Sequence, residues 1–181
     1  MGRLRRKAVT VAVTLFFSGW TLEAANRGPI TSRVRTHHPT IRAAIDEAAT
    51  RSATFRRLIE TIEATDGLIY VESGSCRLGA KACLLHRVTI AGPFRVLSIR
   101  VNPRRASDEL MASIGHELQH AVEVLSDRRV RTDIGVEQFY RVKSDRRSRA
   151  RRSYETTAAL DTGFAVLAEL KRGEGHKRTS K

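Results

Sequence analysis

The sequence predicts a single α+β domain, and three observations point there. Apolar residues recur at helical spacing in separate blocks before residue 65 and after residue 107. Between the blocks lie short Val-, Ile- and Leu-rich runs separated by Gly- and Ser-containing stretches, a segregation of strands from helices that favours α+β over alternating α/β. The length of 181 residues suits one core and is short for two domains and a linker.

Taken in order, residues 1–24 read as a secretory signal peptide. Arg3, Arg5, Arg6 and Lys7 precede an apolar run from Ala8 to Trp20, and small residues follow at Ala24 and Ala25. That run is 13 residues long, whereas a bilayer span needs about 17–25, so an uncleaved membrane anchor is the second reading. The chain is therefore expected to be exported, periplasmic or secreted. Residues 25–38 are polar without apolar period and read as a linker. Over residues 40–64 Ile41, Ala44, Ile45 and Ala48, then Phe55, Leu58, Ile59 and Ile62, predict two helices, or one broken near Arg51 and Ser52.

Residues 68–72, 84–90 and 95–102 predict a three-stranded sheet, mostly antiparallel or mixed. In the last strand Leu97, Ile99 and Val101 share one face and Ser98 and Arg100 the other. Ser107 or Asp108 can cap a helix reaching about Leu125, with Asp108 and Glu109 in the first turn where the helix dipole favours negative charge. A connector follows, then a basic stretch, residues 141–152, in which seven of twelve are Arg or Lys. Helical spacing returns over 154–171 through Ala159, Leu160, Gly163, Val166, Leu167 and Leu170. The domain is thus expected over 39–172, with 173–181 as a disordered basic tail.

The formal charge is +14, of which the signal segment carries three net. A field this basic attracts anionic surfaces or polymers, although no dedicated nucleic-acid motif occurs. Cys76 and Cys83 are the only cysteines. In an oxidising compartment they are expected to pair across a loop, and by themselves they lack the partners of a metal finger.

Chemistry concentrates in His116-Glu117-Leu118-Gln119-His120. Histidines four residues apart on a helix lie one turn apart and about 40° apart in projection, so both imidazoles reach one ion. Zinc accepts imidazole and carboxylate in a tetrahedron and keeps a position for water, over which Glu117 can lean. Leu110, Met111, Ile114, Leu118, Ala121, Val122 and Leu125 fill a sector of about 120°, and His116 and His120 lie opposite its centre, facing a cleft.

At these residues the chain resembles the zincin metallopeptidases. That resemblance implies a small zincin-like domain in which residues 95–102 act as the edge strand and the helix over 154–171 supplies a third ligand. The segment Glu155-Thr156-Thr157-Ala158-Ala159 with Gly163 is similar to the Glu-x-x-Ala-Asp pattern of integral-membrane and periplasmic gluzincins, which makes Glu155 the implied third zinc ligand. Ala159 stands where that pattern has Asp, so a hydrogen bond to a ligand histidine needs another group, with Asp161 or Asp133 as candidates. Glu137 is the runner-up third ligand, and Asp133, Asp161 and His176 remain open.

The resemblance implies a zinc-dependent peptidase in which Glu117 is general base toward a peptide or protein substrate, paired with the strand near Leu97 to Val101. Tyr140 and Tyr154 are candidate oxyanion donors, and His86 reads as a structural histidine within a strand. The competing expectation is a catalytically silent zincin-like basic protein that binds anionic polymer or envelope surface.

Overall fold

A computed structural model describes residues 32–76, 80–103, 107–144 and 154–178, with side chains of the last helix through Arg172. The signal segment, half of the linker, most of the Arg-rich stretch and His176 lie outside the described side chains. The fold is α+β, with five helices and a mixed sheet of five strands among the described residues.

The first helical block is two helices, α1 (Pro39–Arg51) and α2 (Ala53–Glu63). Ser52 makes the break: its N–H closes α1 on Ala48 O at 2.8 Å, while its Oγ accepts the Phe55 N–H at 3.0 Å to start α2. Its hydroxyl also donates to Glu169 Oε2 at 2.5 Å, tying the joint to the C-terminal helix.

The sheet is larger than the expected three strands. Strand β1 (Val34–Arg35) lies inside the expected linker and is recruited because Val34 is fully buried. Strand β2 (Gly67–Ser73) pairs in parallel with β1 and with β5 (Phe94–Val101). The expected strand over 84–90 is instead two short ones, β3 (Ala82–Leu84) and β4 (Thr89–Ala91). Both are antiparallel to β5 and share its second edge. The chain leaves the ladder between them, and the Val88 N–H turns to Asp133 Oδ1 at 2.9 Å.

Consequently β5 is an interior strand, not the edge strand implied above. Leu97, Ile99 and Val101 are fully buried on one face as alternation predicts, yet neither side of β5 is free for a substrate. The edge strand beside the candidate site is β3.

Helix α3 (Asp108–Ser126) is capped as expected, with Ser107 Oγ accepting the Leu110 N–H at 3.1 Å. The connector contains an unexpected helix, α4 (Asp133–Lys143), started by Thr132. Helix α5 (Thr157–Arg178) packs along α3 and touches α1 and α2. It begins three residues later than expected and its backbone continues past Gly173, into the segment expected as a disordered tail. Helices α1, α2 and α3 all contact the sheet, closing one hydrophobic core. No helix among the described residues is long and apolar enough to cross a membrane.

Candidate metal centre

Helices α3 and α5 approach closely because small residues line their contact. A Cβ on Gly163 would lie 3.4 Å from His116 Cβ, and one on Gly115 would lie 3.1 Å from Val166 Cγ2. Ala159 is fully buried in the same seam, whereas Ala158 points to solvent. The face of α3 opposite its apolar stripe is therefore partly covered by α5, and His120 also borders a cavity. Glu117 is 8% exposed and His120 6%.

The two imidazoles stand edge to face, 4.8 Å between centroids. Glu155 enters from the residues just before α5. Its Oε2 lies 3.0 Å from His116 Nε2 and 3.8 Å from His120 Nε2, and the three donor atoms fall within 4.8 Å of one another. Ligands at zinc bond lengths of about 2.0–2.2 Å are about 3.3 Å apart along a tetrahedral edge, so small side-chain rotations suffice to close the set. Glu155 Oε2 is buried and has no hydrogen-bond partner among the described residues. A buried carboxylate oxygen facing two ring nitrogens in this way fits a cation better than it fits a hydrogen-bonded pair.

Burial raises the Glu155 carboxyl, but His116 and His120 outweigh it and hold its pKa at about 2. Burial lowers the His120 imidazole, but Glu123 and Glu155 outweigh it and raise its pKa to about 9. The carboxylates of Glu123 and Glu155 thus favour positive charge at His120, which a proton supplies in the metal-free protein and a divalent cation would supply in its place.

Glu123 went unseen in the sequence. It is 6% exposed, and its Oε2 lies 3.1 Å from His120 Nδ1, placed to accept a proton held there, which with an ion bound would leave Nε2 for the shared point. Thr156 Oγ1 donates to Glu123 Oε1 at 2.7 Å. This pair fills the role sought in Asp161 or Asp133. Asp161 is exposed on α5, and Asp133 is occupied with the Val88 amide. The available signal was position: Glu123 is one turn beyond His120, between Val122 and Val124 on a helix that packs.

A cavity of about 1030 Å³ opens beside the cluster, lined by Glu117, His120, Glu155, Leu84, His86 and Tyr154 among others. Glu137 also lines it but is not one of the three converging residues. Burial pushes the Glu117 carboxyl up, and its Oε2 accepts the Leu84 N–H at 2.6 Å. His86 is not in a strand. Its ring stacks on Tyr140 at 5.2 Å and contacts Tyr154 at 4.8 Å in the cavity wall, and burial lowers its pKa.

Tyr140 is unsuited as an oxyanion donor because its hydroxyl donates to His120 O at 2.8 Å and its side chain is buried. Tyr154 adopts φ 53°, a left-handed conformation rare for a bulky residue, immediately before Glu155. Such backbone costs about 1–3 kcal/mol and persists where surrounding structure demands it. Here the turn brings the Tyr154 ring against His86 and carries Glu155 toward the histidines.

The chain matches no family model, no curated protein and no solved structure.

Proposed function

We propose that this chain is a zinc-dependent hydrolase acting on peptides, related in mechanism to the zincins. The observation that carries the reading is Glu155 Oε2, buried and lacking a hydrogen bond, opposite His116 Nε2 and His120 Nε2 with Glu117 beside them. His116, His120 and Glu155 would hold the ion. Bound there, zinc supplies Lewis acidity toward a carbonyl and lowers the pKa of water toward about 7.

The remaining work falls to the protein. The Leu84 amide anchors Glu117 Oε2, which leaves Oε1 to accept a proton from water and return it to the departing amine. Low polarity around Glu117 raises its basicity, as a general base near neutral pH requires. Strand β3 offers the peptide its edge. Lys81 O bonds to Asn102 just past β5 and the Leu85 N–H bonds to Ser98 of β5, so strand alternation turns the backbone groups of Ala82 and the carbonyl of Leu84 outward, where an extended chain can pair, the Leu84 N–H being taken by Glu117.

The test is Glu117→Ala assayed on a mixed peptide library with zinc measured in parallel. The expected result is unchanged zinc content and a loss of kcat of about 10²–10⁴-fold, the usual contribution of a positioned base. Wild-type turnover in that variant contradicts the reading.

A further inference from the structure

We propose that the Cys76–Cys83 disulfide is a positioning cross-link for Glu117, so that hydrolysis depends on the oxidation state of this pair; the proposal rests on the hydrolase reading above. The two cysteines are bonded, with Cα atoms 5.9 Å apart, and both line the cavity. Cys83 immediately precedes Leu84, whose N–H holds Glu117 Oε2 at 2.6 Å. The disulfide and the general base are therefore one residue and one hydrogen bond apart.

Strand β3 needs such support. It has three residues and lies at the edge of the sheet, bonded to β5 on one side only. Its flanking bonds to the neighbouring strand are Leu85 N to Ser98 O at 2.8 Å and Asn102 N to Lys81 O at 3.1 Å. Cys76 comes from the far side of β5. It follows β2, whose continuation is fixed by Gly74 N to Val101 O at 2.9 Å, and its Sγ sits 3.5 Å from Arg100 O. Val101 pairs with Ser73 of β2 on one side and with Ala82 of β3 on the other. The cross-link therefore ties β3 to the end of β2 across the end of β5, a covalent tether beside its hydrogen bonds to one neighbour.

Cys76 and Cys83 are both partly exposed, within reach of a reductant. A dithiol attacks one sulfur, the Sγ–Sγ bond breaks, and two thiols form as the dithiol leaves as its own disulfide. With a phosphine, one water gives its oxygen to the phosphine oxide and its two hydrogens to the thiols. In either case β3 loses its tie and the Leu84 amide no longer holds Glu117 in one place. His116, His120 and Glu155 lie on α3 and beside α5, so the metal ligands stay where they are.

The experiment compares zinc-loaded, oxidised protein with the same protein after phosphine reduction, and with a Cys76→Ser/Cys83→Ser variant. The expected result is a fall in kcat of about tenfold or more on reduction, little change in KM, unchanged zinc, and recovery on reoxidation. The double variant is expected to match the reduced state and ignore the phosphine. In metal-free protein, hydrogen exchange at the Leu84 amide is expected to accelerate on reduction while α3 amides keep their protection. Equal kcat in both redox states, a loss confined to KM, or unchanged Leu84 exchange overturns the cross-link proposal. Absence of all hydrolysis by oxidised, zinc-loaded protein overturns the hydrolase reading instead, and Leu84 exchange still decides whether the disulfide holds β3.

Discussion

Glu123 has two partners, and each gives its removal a consequence. Toward His120 it orients the ring; toward Thr156 it fastens the residue next to Glu155 to α3. Glu123→Ala is expected to weaken zinc binding by about 10–100-fold, the usual effect of removing a carboxylate that orients a ligand histidine. Competition with a chromophoric chelator measures this directly, and unchanged affinity contradicts the assigned role. The closeness of His116 and His120 was legible because an i, i+4 pair is a local signature, and that of Glu155 through the similarity at residues 155–159 and its small neighbours Ala159 and Gly163. Glu123 and the Leu84 amide were not, since their partners are set by tertiary contacts: Thr156 is 33 residues from Glu123, and Leu84 is 33 from Glu117.

Among the elements, α3 depends on an arginine at the head of β5. Arg95 is fully buried on the face it shares with Leu97 and Ile99. Its Nη1 donates to Val124 O, Asp127 O and Val130 O at 3.3, 2.8 and 3.0 Å, and its Nη2 to Leu125 O at 2.7 Å. Carbonyls at a helix C-terminus lack helical partners, and a cation there also complements the dipole. Asp66 completes the set, accepting from Nη2 at 2.7 Å.

The Arg95 guanidinium holds the Asp66 carboxyl below its ordinary value of 3.8. A carboxylate whose folded pKa is depressed contributes stability that is fully present above its unfolded pKa. That stability is lost as pH falls through the folded value. Denaturant titrations from pH 6 down to about 2 should therefore show wild type losing stability below about pH 4, with a shallower decline in Asp66→Asn. An identical slope in both proteins rules out this ion pair as a source of acid sensitivity. A single Arg on the buried face of an alternating strand was the visible clue, but which carbonyls it would meet was not.

Elements were legible where local pattern and tertiary role agree. The two N-terminal helices, β5 and α3 all show apolar residues at the period of the face they bury. Helix α4 was missed because that agreement fails: Val136 and Tyr140 are buried, while Ile134 and Val142 are 68% and 83% exposed. Strand β1 is too short for any periodicity. The run containing β3 and β4 reads as one strand by composition, and the tight turn from Leu85 O to the Arg87 N–H together with the Val88 to Asp133 bond breaks it.

At the scale of the whole molecule, the candidate metal centre joins parts distant in sequence, since its three residues lie on α3 and at the approach to α5. An ion that binds only the folded arrangement stabilises it by mass action, by about 2.7 kcal/mol at one hundred times its Kd. For a domain of this size that corresponds to about 5–10 °C in Tm. Thermal unfolding of chelator-treated protein should therefore shift upward with added zinc, and the shift should vanish in His116→Ala/His120→Ala. An equal shift in that variant places the bound zinc elsewhere. Fold class was legible at this scale because helical and strand textures occupy separate stretches. Strand order was not, because β1, β3 and β4 are fixed by pairing rather than composition.

Metal content of the purified protein tests the central claim most directly, with wild type compared with Glu155→Ala and Glu137→Ala. The arrangement of His116, His120 and Glu155 predicts one zinc per chain in wild type and Glu137→Ala, and a loss of stoichiometric zinc in Glu155→Ala. Wild type without zinc, or zinc retained in Glu155→Ala and lost in Glu137→Ala, contradicts it.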